Sequence, residues 1–167
     1  METLKIVMLG SGSIVPAPDR NHAAIWIRHG SRVMLWDCGE GTQLQIQKAG
    51  LSLMDIDKIF ITHWHADHYA GLIGLMETLN LEGRTQKLQI FGPEARKYLS
   101  IISQLHQGEP GFEIEGINVD YQNNLKKEIL NEKNYMITSV PAKHSIPAVA
   151  YCFQEKDRWN INKKKLA

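Results

Sequence analysis

Apolar residues fall in short runs along most of the chain and in one clear helical stripe. Residues 4–9 form an apolar run closed by Gly10 and predict a buried strand. Gly10-Ser11-Gly12-Ser13 then reads as a turn, and the prolines at 16 and 18 make residues 16–21 a loop. Two further strands, 23–27 and 32–37, flank a hairpin turn at His29-Gly30-Ser31. Gly39-Glu40-Gly41 breaks the chain, and Thr42 is expected to cap a helix running to about residue 49. Residues 58–62 are another apolar strand. From His68 the period changes, and Leu72, Leu75, Met76 and Leu79 recur at i, i+3, i+4, i+7, the stripe of an amphipathic helix. Residues 88–91 read as a strand. Pro93 suits the first turn of the next helix, whose stripe would be Tyr98, Ile101, Ile102 and Leu105. Residues 108–116 look like a loop, 117–121 a strand, and 122–133 a charged, solvated connection. Strands at 135–140 and 148–153 follow. Strands alternating with helices predict an α/β (α+β) fold, a mixed sheet with helices on one face.

Composition narrows this only a little. The chain has 167 residues, 43% hydrophobic and 22% charged, ordinary for one globular domain with one core. A formal charge of +1 gives no global signal of a nucleic-acid binder, although net charge averages over faces. The first residues lack a signal-peptide layout, and no apolar run approaches the roughly 20 residues that span a bilayer, so no membrane partner and a cytoplasmic location are expected. Cys38 and Cys152 are the only cysteines and are expected to be reduced, buried thiols. Gly10 and Gly12 do not complete a dinucleotide fingerprint.

The chemistry concentrates at Thr62-His63-Trp64-His65-Ala66-Asp67-His68, where three imidazoles and a carboxylate, the nitrogen and oxygen donors zinc prefers, directly follow a strand. His63 and His65 are two apart, so in extended chain they point the same way. Asp67 and His68 then begin a helix and can turn toward a second point, so one strand-to-helix corner has donors for two metal ions. That helix start would also favour a carboxylate or a bound phosphate. The spacing differs from a His-Glu-x-x-His zinc helix, whose ligands sit one turn apart. The bland alternative is a polar surface loop. His22, His29 and His106 have no ligand-like spacing and are read as surface residues. Cys38 is read as a structural thiol, Trp64 as a packing residue, and Lys163-Lys164-Lys165 as a solvated face.

His63-x-His65-x-Asp67-His68 resembles the hallmark of the metallo-β-lactamase superfamily. Within it the likeness is to the ribonuclease Z family, carried by Leu9-Gly10-Ser11-Gly12-Ser13, Pro18-Asp19-Arg20-Asn21, Asp37-Cys38-Gly39-Glu40-Gly41-Thr42-Gln43, Phe60-Ile61-Thr62-His63, His68-Tyr69-Ala70-Gly71-Leu72, Phe91-Gly92-Pro93 and His144-Ser145-Ile146-Pro147-Ala148. The His-x-His-x-Asp-His core marks only the superfamily; the Asp-Cys-Gly-Glu-Gly-Thr and His-Ser-Ile-Pro segments are more specific. The resemblance implies an αββα sandwich of which about one half is present: residues 1–155 as the N-terminal part of the domain, and 156–167 as the truncated start of a tRNA-binding arm. It implies that His63, His65 and His144 hold one zinc, that Asp67 and His68 contribute to a second, that Asp67 accepts the proton of the attacking water, and that Asp37 orients ligands. The implied reaction is removal of 3′ trailers from precursor tRNA, leaving a tRNA 3′-hydroxyl, in a homodimer. Arg20 and Asn21 are expected to meet RNA near the cleft.

The family's site also takes a bridging Asp and a further His from a second half of the fold. Half a sandwich is expected to expose one sheet face, to be poorly stable unless another chain completes it, and to cleave little RNA alone. Two other readings remain. One is another phosphodiesterase or arylsulfatase-like hydrolase of the same superfamily; the other is a non-catalytic split half that binds a partner chain or one zinc. Nitrogen and carboxylate donors also accept manganese or iron.

Overall fold

The computed structural model describes residues 3–105 and 110–157. A six-stranded sheet runs in the order β1 (Leu4–Gly10), β2 (Ala24–His29), β3 (Arg32–Trp36), β4 (Ile56–Phe60), β5 (Leu88–Gly92) and β6 (Ile114–Asn118). Its first three strands pair antiparallel, and β3 to β6 pair parallel. The parallel strands are joined by helices α1 (Thr42–Lys48), α2 (Ala66–Tyr69), α3 (Gly71–Leu81) and α4 (Ala95–Ser103). A second sheet, β7 (Lys127–Asn131), β8 (Tyr135–Pro141) and β9 (Val149–Glu155), is antiparallel throughout. No helix among the described residues is long and apolar enough to cross a membrane.

Side-chain alternation in the central strands explains the three layers. Val33, Leu35, Ile59, Ile61, Leu88 and Ile90 face the helices, where they pack with Ile46, Leu72, Leu75, Leu79 and Ile102. Met34, Phe60 and Phe91 face the other way and pack with Tyr135, Ile137 and Val149 of the small sheet. Strands buried on both faces read as continuous apolar runs rather than alternating ones, which is why 32–37 and 58–62 look as they do. Each fully buried Leu, Ile or Phe adds about 1.5–3 kcal/mol relative to exposure.

The helices therefore cover one face, as expected, but the opposite face is not bare: the three-stranded sheet packs on it, against the expectation of a half-sandwich with an open face. Exposure remains at the edge. Residues 4–9 are not a buried strand, because β1 is the last in the sheet: Ile6 and Met8 are 56% and 62% exposed, while Leu9 alone in the strand is buried.

Several boundaries also differ. Thr42 is the first residue of α1 rather than its cap; Gly41 takes that place at φ 74°, and the Thr42 hydroxyl donates to the Gly39 carbonyl at 2.6 Å. Pro93 lies outside α4, because Glu94 sits in the left-handed region at φ 50° and cannot join the helix. Of the stripe proposed for α4, Ile102 is buried and Tyr98 partly so, whereas Ile101 and Leu105 are exposed. β6 begins at Ile114, inside the stretch read as loop, and β7 lies inside the one read as solvated connection. His22 and His29 are buried, not surface residues, and Cys152 is exposed, not buried; both cysteines are free thiols. His106, the run Lys163–Lys165 and, from Arg158 onward, the segment 156–167 lie outside the described residues.

Candidate metal centre

The site forms where β4 ends. Strand β4 delivers buried Ile61, and the chain stays extended through His65, at φ −80° and ψ 147°, before turning into α2. Alternation puts Trp64 into the core while His63 and His65 stay half-buried. Trp64 is locked there: its indole N–H donates to the Pro93 carbonyl at 2.5 Å, and its ring stacks on Tyr98 at 4.4 Å. It packs, as the sequence suggested. His144 arrives from the other sheet, in the loop between β8 and β9 that the Ala142 N–H closes onto the Ala148 carbonyl at 2.9 Å.

The three imidazoles converge. Ring centroids lie 4.9 Å apart for His63 and His65, 4.5 Å for His63 and His144, and 4.9 Å for His65 and His144. His144 Nε2 is 3.1 Å from His65 Nδ1. One donor atom from each of the three can be chosen within 4.8 Å of the others, a set that can hold a metal ion. Burial, together with the neighbouring imidazoles of His68 and His144, lowers the His63 pKa to about 4, so His63 is neutral with a free lone pair at pH 7. Neutral imidazole is the form a metal takes.

Asp67 and His68 stand outside that triad. His68 lies beside it, 4.0 Å from His63 between centroids, and its Nε2 is 3.6 Å from the buried Asp67 carboxylate. The other nitrogen, Nδ1, is 2.7 Å from Asp37 Oδ2. A carboxylate accepts, so Nδ1 carries a proton. Burial works against charge on His68, but the bond to Asp37 and the charges of Asp37 and Asp67 outweigh it and raise its pKa.

Asp37 ties this corner together. Its Oδ1 accepts the Thr62 N–H at 2.8 Å, and the Thr62 hydroxyl lies 3.0 Å from both carboxylate oxygens. Asp37 itself sits at φ 55°, an uncommon conformation for a residue other than glycine. The next residues pass very close to the motif. The Cys38 N–H donates to the His68 carbonyl at 2.8 Å, and the Gly71 N–H donates to the Cys38 carbonyl at 2.9 Å. A Cβ on Gly39 would fall 2.3 Å from the Asp67 carbonyl, and one on Gly71 would fall 2.1 Å from the Gly39 carbonyl. Only glycine fits at these two crossings.

Arg20 and Asn21 are placed elsewhere. They line two adjoining clefts of about 370 and 180 Å³, whose walls include none of the clustered histidines. Asn21 donates to the Glu40 carbonyl at 2.8 Å, so it braces the segment before α1. Sequence reasoning on the residues missed Thr62 as an Asp37 partner and missed Tyr151, whose hydroxyl donates to the Ile61 carbonyl at 2.9 Å. The period-2 pattern Val149, Tyr151, Phe153 was the available signal that Tyr151 faces inward.

Comparison with known proteins gives one consistent picture of the fold. Ribonuclease Z of Pyrococcus furiosus is 41% identical over 156 residues, covering 93% of this chain and 49% of that protein. Ribonuclease Z of Thermococcus gammatolerans is 43% identical over 159 residues, covering 93% and 48%. The chain thus spans about half the length of the curated relatives it matches. The crystal structure of the short form of human tRNase Z superposes with a TM-score of 0.79 at 30% identity, over 92% of this chain and 66% of that one. A metallo-beta-lactamase fold protein of Bacillus subtilis superposes at 0.73 with 18% identity, which shows the fold alone. A family model described as Anti-Pycsar protein Apyc1 matches residues 4–109, more than half of the chain. The chain belongs to that family, has the metallo-β-lactamase fold, and is a homologue of the proteins named Ribonuclease Z.

Proposed function

We propose that this chain supplies part of the site of a zinc-dependent endoribonuclease that removes 3′ trailers from precursor tRNA. The observation that carries the reading is the convergence of His63, His65 and His144 from two different sheets on one set of donor atoms. The donor set fits the metal: three imidazoles, with His63 held neutral, match the nitrogen ligands of zinc. His63, His65 and His144 would hold one zinc, and Asp67 and His68 would contribute to a second. When bound, zinc makes water acidic near neutral pH and stabilises negative charge on a phosphoryl oxygen. Asp67, buried at the start of α2, would take the proton from the attacking water. Asp37 would fix the tautomer of His68 and hold the backbone of Thr62, so the side chains around the scissile phosphate need not reorganise. Residues 1–155 would be the N-terminal part of the domain, and a homodimer in the cytoplasm the working form. Arg20 and Asn21 would meet RNA in their own cleft.

The description of the matched family, an anti-Pycsar protein, differs from the name of the relatives, so a second reading stands beside the first: another phosphodiesterase of this fold. One experiment separates them. The chain and its Asp67→Asn variant are incubated with zinc and either a precursor tRNA with a 3′ trailer or a panel of cyclic nucleotides. Release of a tRNA ending in a 3′-hydroxyl, even slowly, and its loss by at least about 100-fold in Asp67→Asn supports the first reading. Hydrolysis confined to a cyclic nucleotide supports the second. Zinc bound with neither reaction favours the third reading, a non-catalytic half that binds one zinc.

A further inference from the structure

The donors for one metal come from two layers, so something must register those layers against each other. His63 and His65 follow β4 of the large sheet, and His144 precedes β9 of the small one. Two hydrogen bonds cross between the layers at this point. The Val149 N–H donates to the Thr62 carbonyl at 3.0 Å, and the Tyr151 hydroxyl donates to the Ile61 carbonyl at 2.9 Å. The carbonyls they hold belong to the two residues just before His63. The Tyr151 ring is wedged between the sheets, against Phe60 at 5.4 Å and Trp36 at 6.1 Å. The phenol packs against both rings with its hydroxyl on the Ile61 carbonyl.

We infer that Tyr151 is a positioning residue for the metal centre: its hydroxyl sets the height of the small sheet over Ile61, and thereby the placement of His144 against His63 and His65. This rests on the metal-site reading above. A phenol serving only as core would contribute through its ring, which Phe supplies equally. A neighbouring tyrosine offers the contrast. Tyr135 on β8 is also buried between the sheets, but its hydroxyl has no hydrogen-bond partner and it lies at the His29 end, with ring centroids 5.3 Å apart.

The test is cobalt(II) and zinc affinity of the full 167-residue chain, read by the visible spectrum of bound cobalt and by competition with zinc, for the native protein, Tyr151→Phe and Tyr135→Phe. Circular dichroism and thermal melts follow the fold. The expected result is binding weaker by roughly 10-fold or more in Tyr151→Phe, with an altered cobalt spectrum, and binding unchanged in Tyr135→Phe. Equal affinity in Tyr151→Phe and the native chain overturns the inference while leaving the metal site standing. Absence of binding by the native chain overturns the metal-site reading and this inference with it. Should Tyr151→Phe fail to fold, tyrosine-labelled native protein decides. Its Tyr151 ring carbon next to the hydroxyl should shift in the NMR spectrum when zinc is added, with Tyr135 as reference, and an unmoved Tyr151 signal overturns the inference.

Discussion

Cys38 shows how far a single position is governed by its surroundings. It is fully buried at the end of β3, and burial pushes its thiol from 9.0 up to about 12. In the folded chain the thiol stays protonated, while in the unfolded chain it ionises from about pH 9. The stability this burial confers is complete below pH 9 and is lost as pH rises toward 12. The thiolate is the reactive form, so iodoacetamide at pH 8 should label exposed Cys152 at least about 100-fold faster than Cys38, as followed by mass spectrometry. Comparable rates would contradict the burial. The two cysteines look alike in the sequence, and only the fold separates them. The histidines behave in the opposite way. His63 and His65 are legible because two residues of spacing in extended chain give a shared face. His144 is legible only through resemblance, since its proximity depends on a contact across the two sheets. His22 and His29 were misread because the absence of a ligand pattern says nothing about burial.

Elements were legible where one period ruled and illegible where two demands collided. Helix α3 stands where the Leu72, Leu75, Met76, Leu79 stripe put it, and all four residues are buried. The start of β6 was placed three residues late because Gly116 reads as a loop residue. It is glycine because helix α4 lies against it, with a Cβ there falling 2.9 Å from Leu99 Cδ1. β7 was missed because a register shift between Glu128 and Leu130 breaks the alternation of its apolar residues. The crossing of α3 with the segment after β3 gives a sharp prediction. Alanine at Gly71, the first residue of α3, should help the helix by about 1 kcal/mol on propensity alone. Its Cβ would instead collide with the Gly39 carbonyl backbone, so Gly71→Ala should destabilise by about 1–3 kcal/mol in urea unfolding. Gly74→Ala, which meets only the flexible end of Gln43, should cost less. The reverse order would mean the two segments are not in contact.

At the scale of the molecule, the small sheet closes the second face of the core. It caps the central strands, so most apolar surface of the large sheet is buried within this chain, and what remains open is the β1 edge with Ile6 and Met8. A metal held by His63, His65 and His144 would couple its binding to folding. A ligand that binds only the native state adds RT ln(1 + [L]/Kd), about 2.7 kcal/mol at a hundredfold excess over Kd. Zinc should accordingly raise the melting temperature in a concentration-dependent way, a chelator should reverse it, and His63→Ala should abolish the response. A zinc shift that survives in His63→Ala would place the metal elsewhere. The pairing of His65 with His144 across 79 positions has a further consequence for biosynthesis. While the chain is growing on the ribosome, His63 and His65 emerge long before the third imidazole, and β9, whose Val149 and Tyr151 hold Ile61 and Thr62, emerges later still. A nascent chain stalled short of Val149 would carry the conspicuous motif without the geometry to use it, so the order of synthesis keeps the centre unassembled until both sheets have left the exit tunnel.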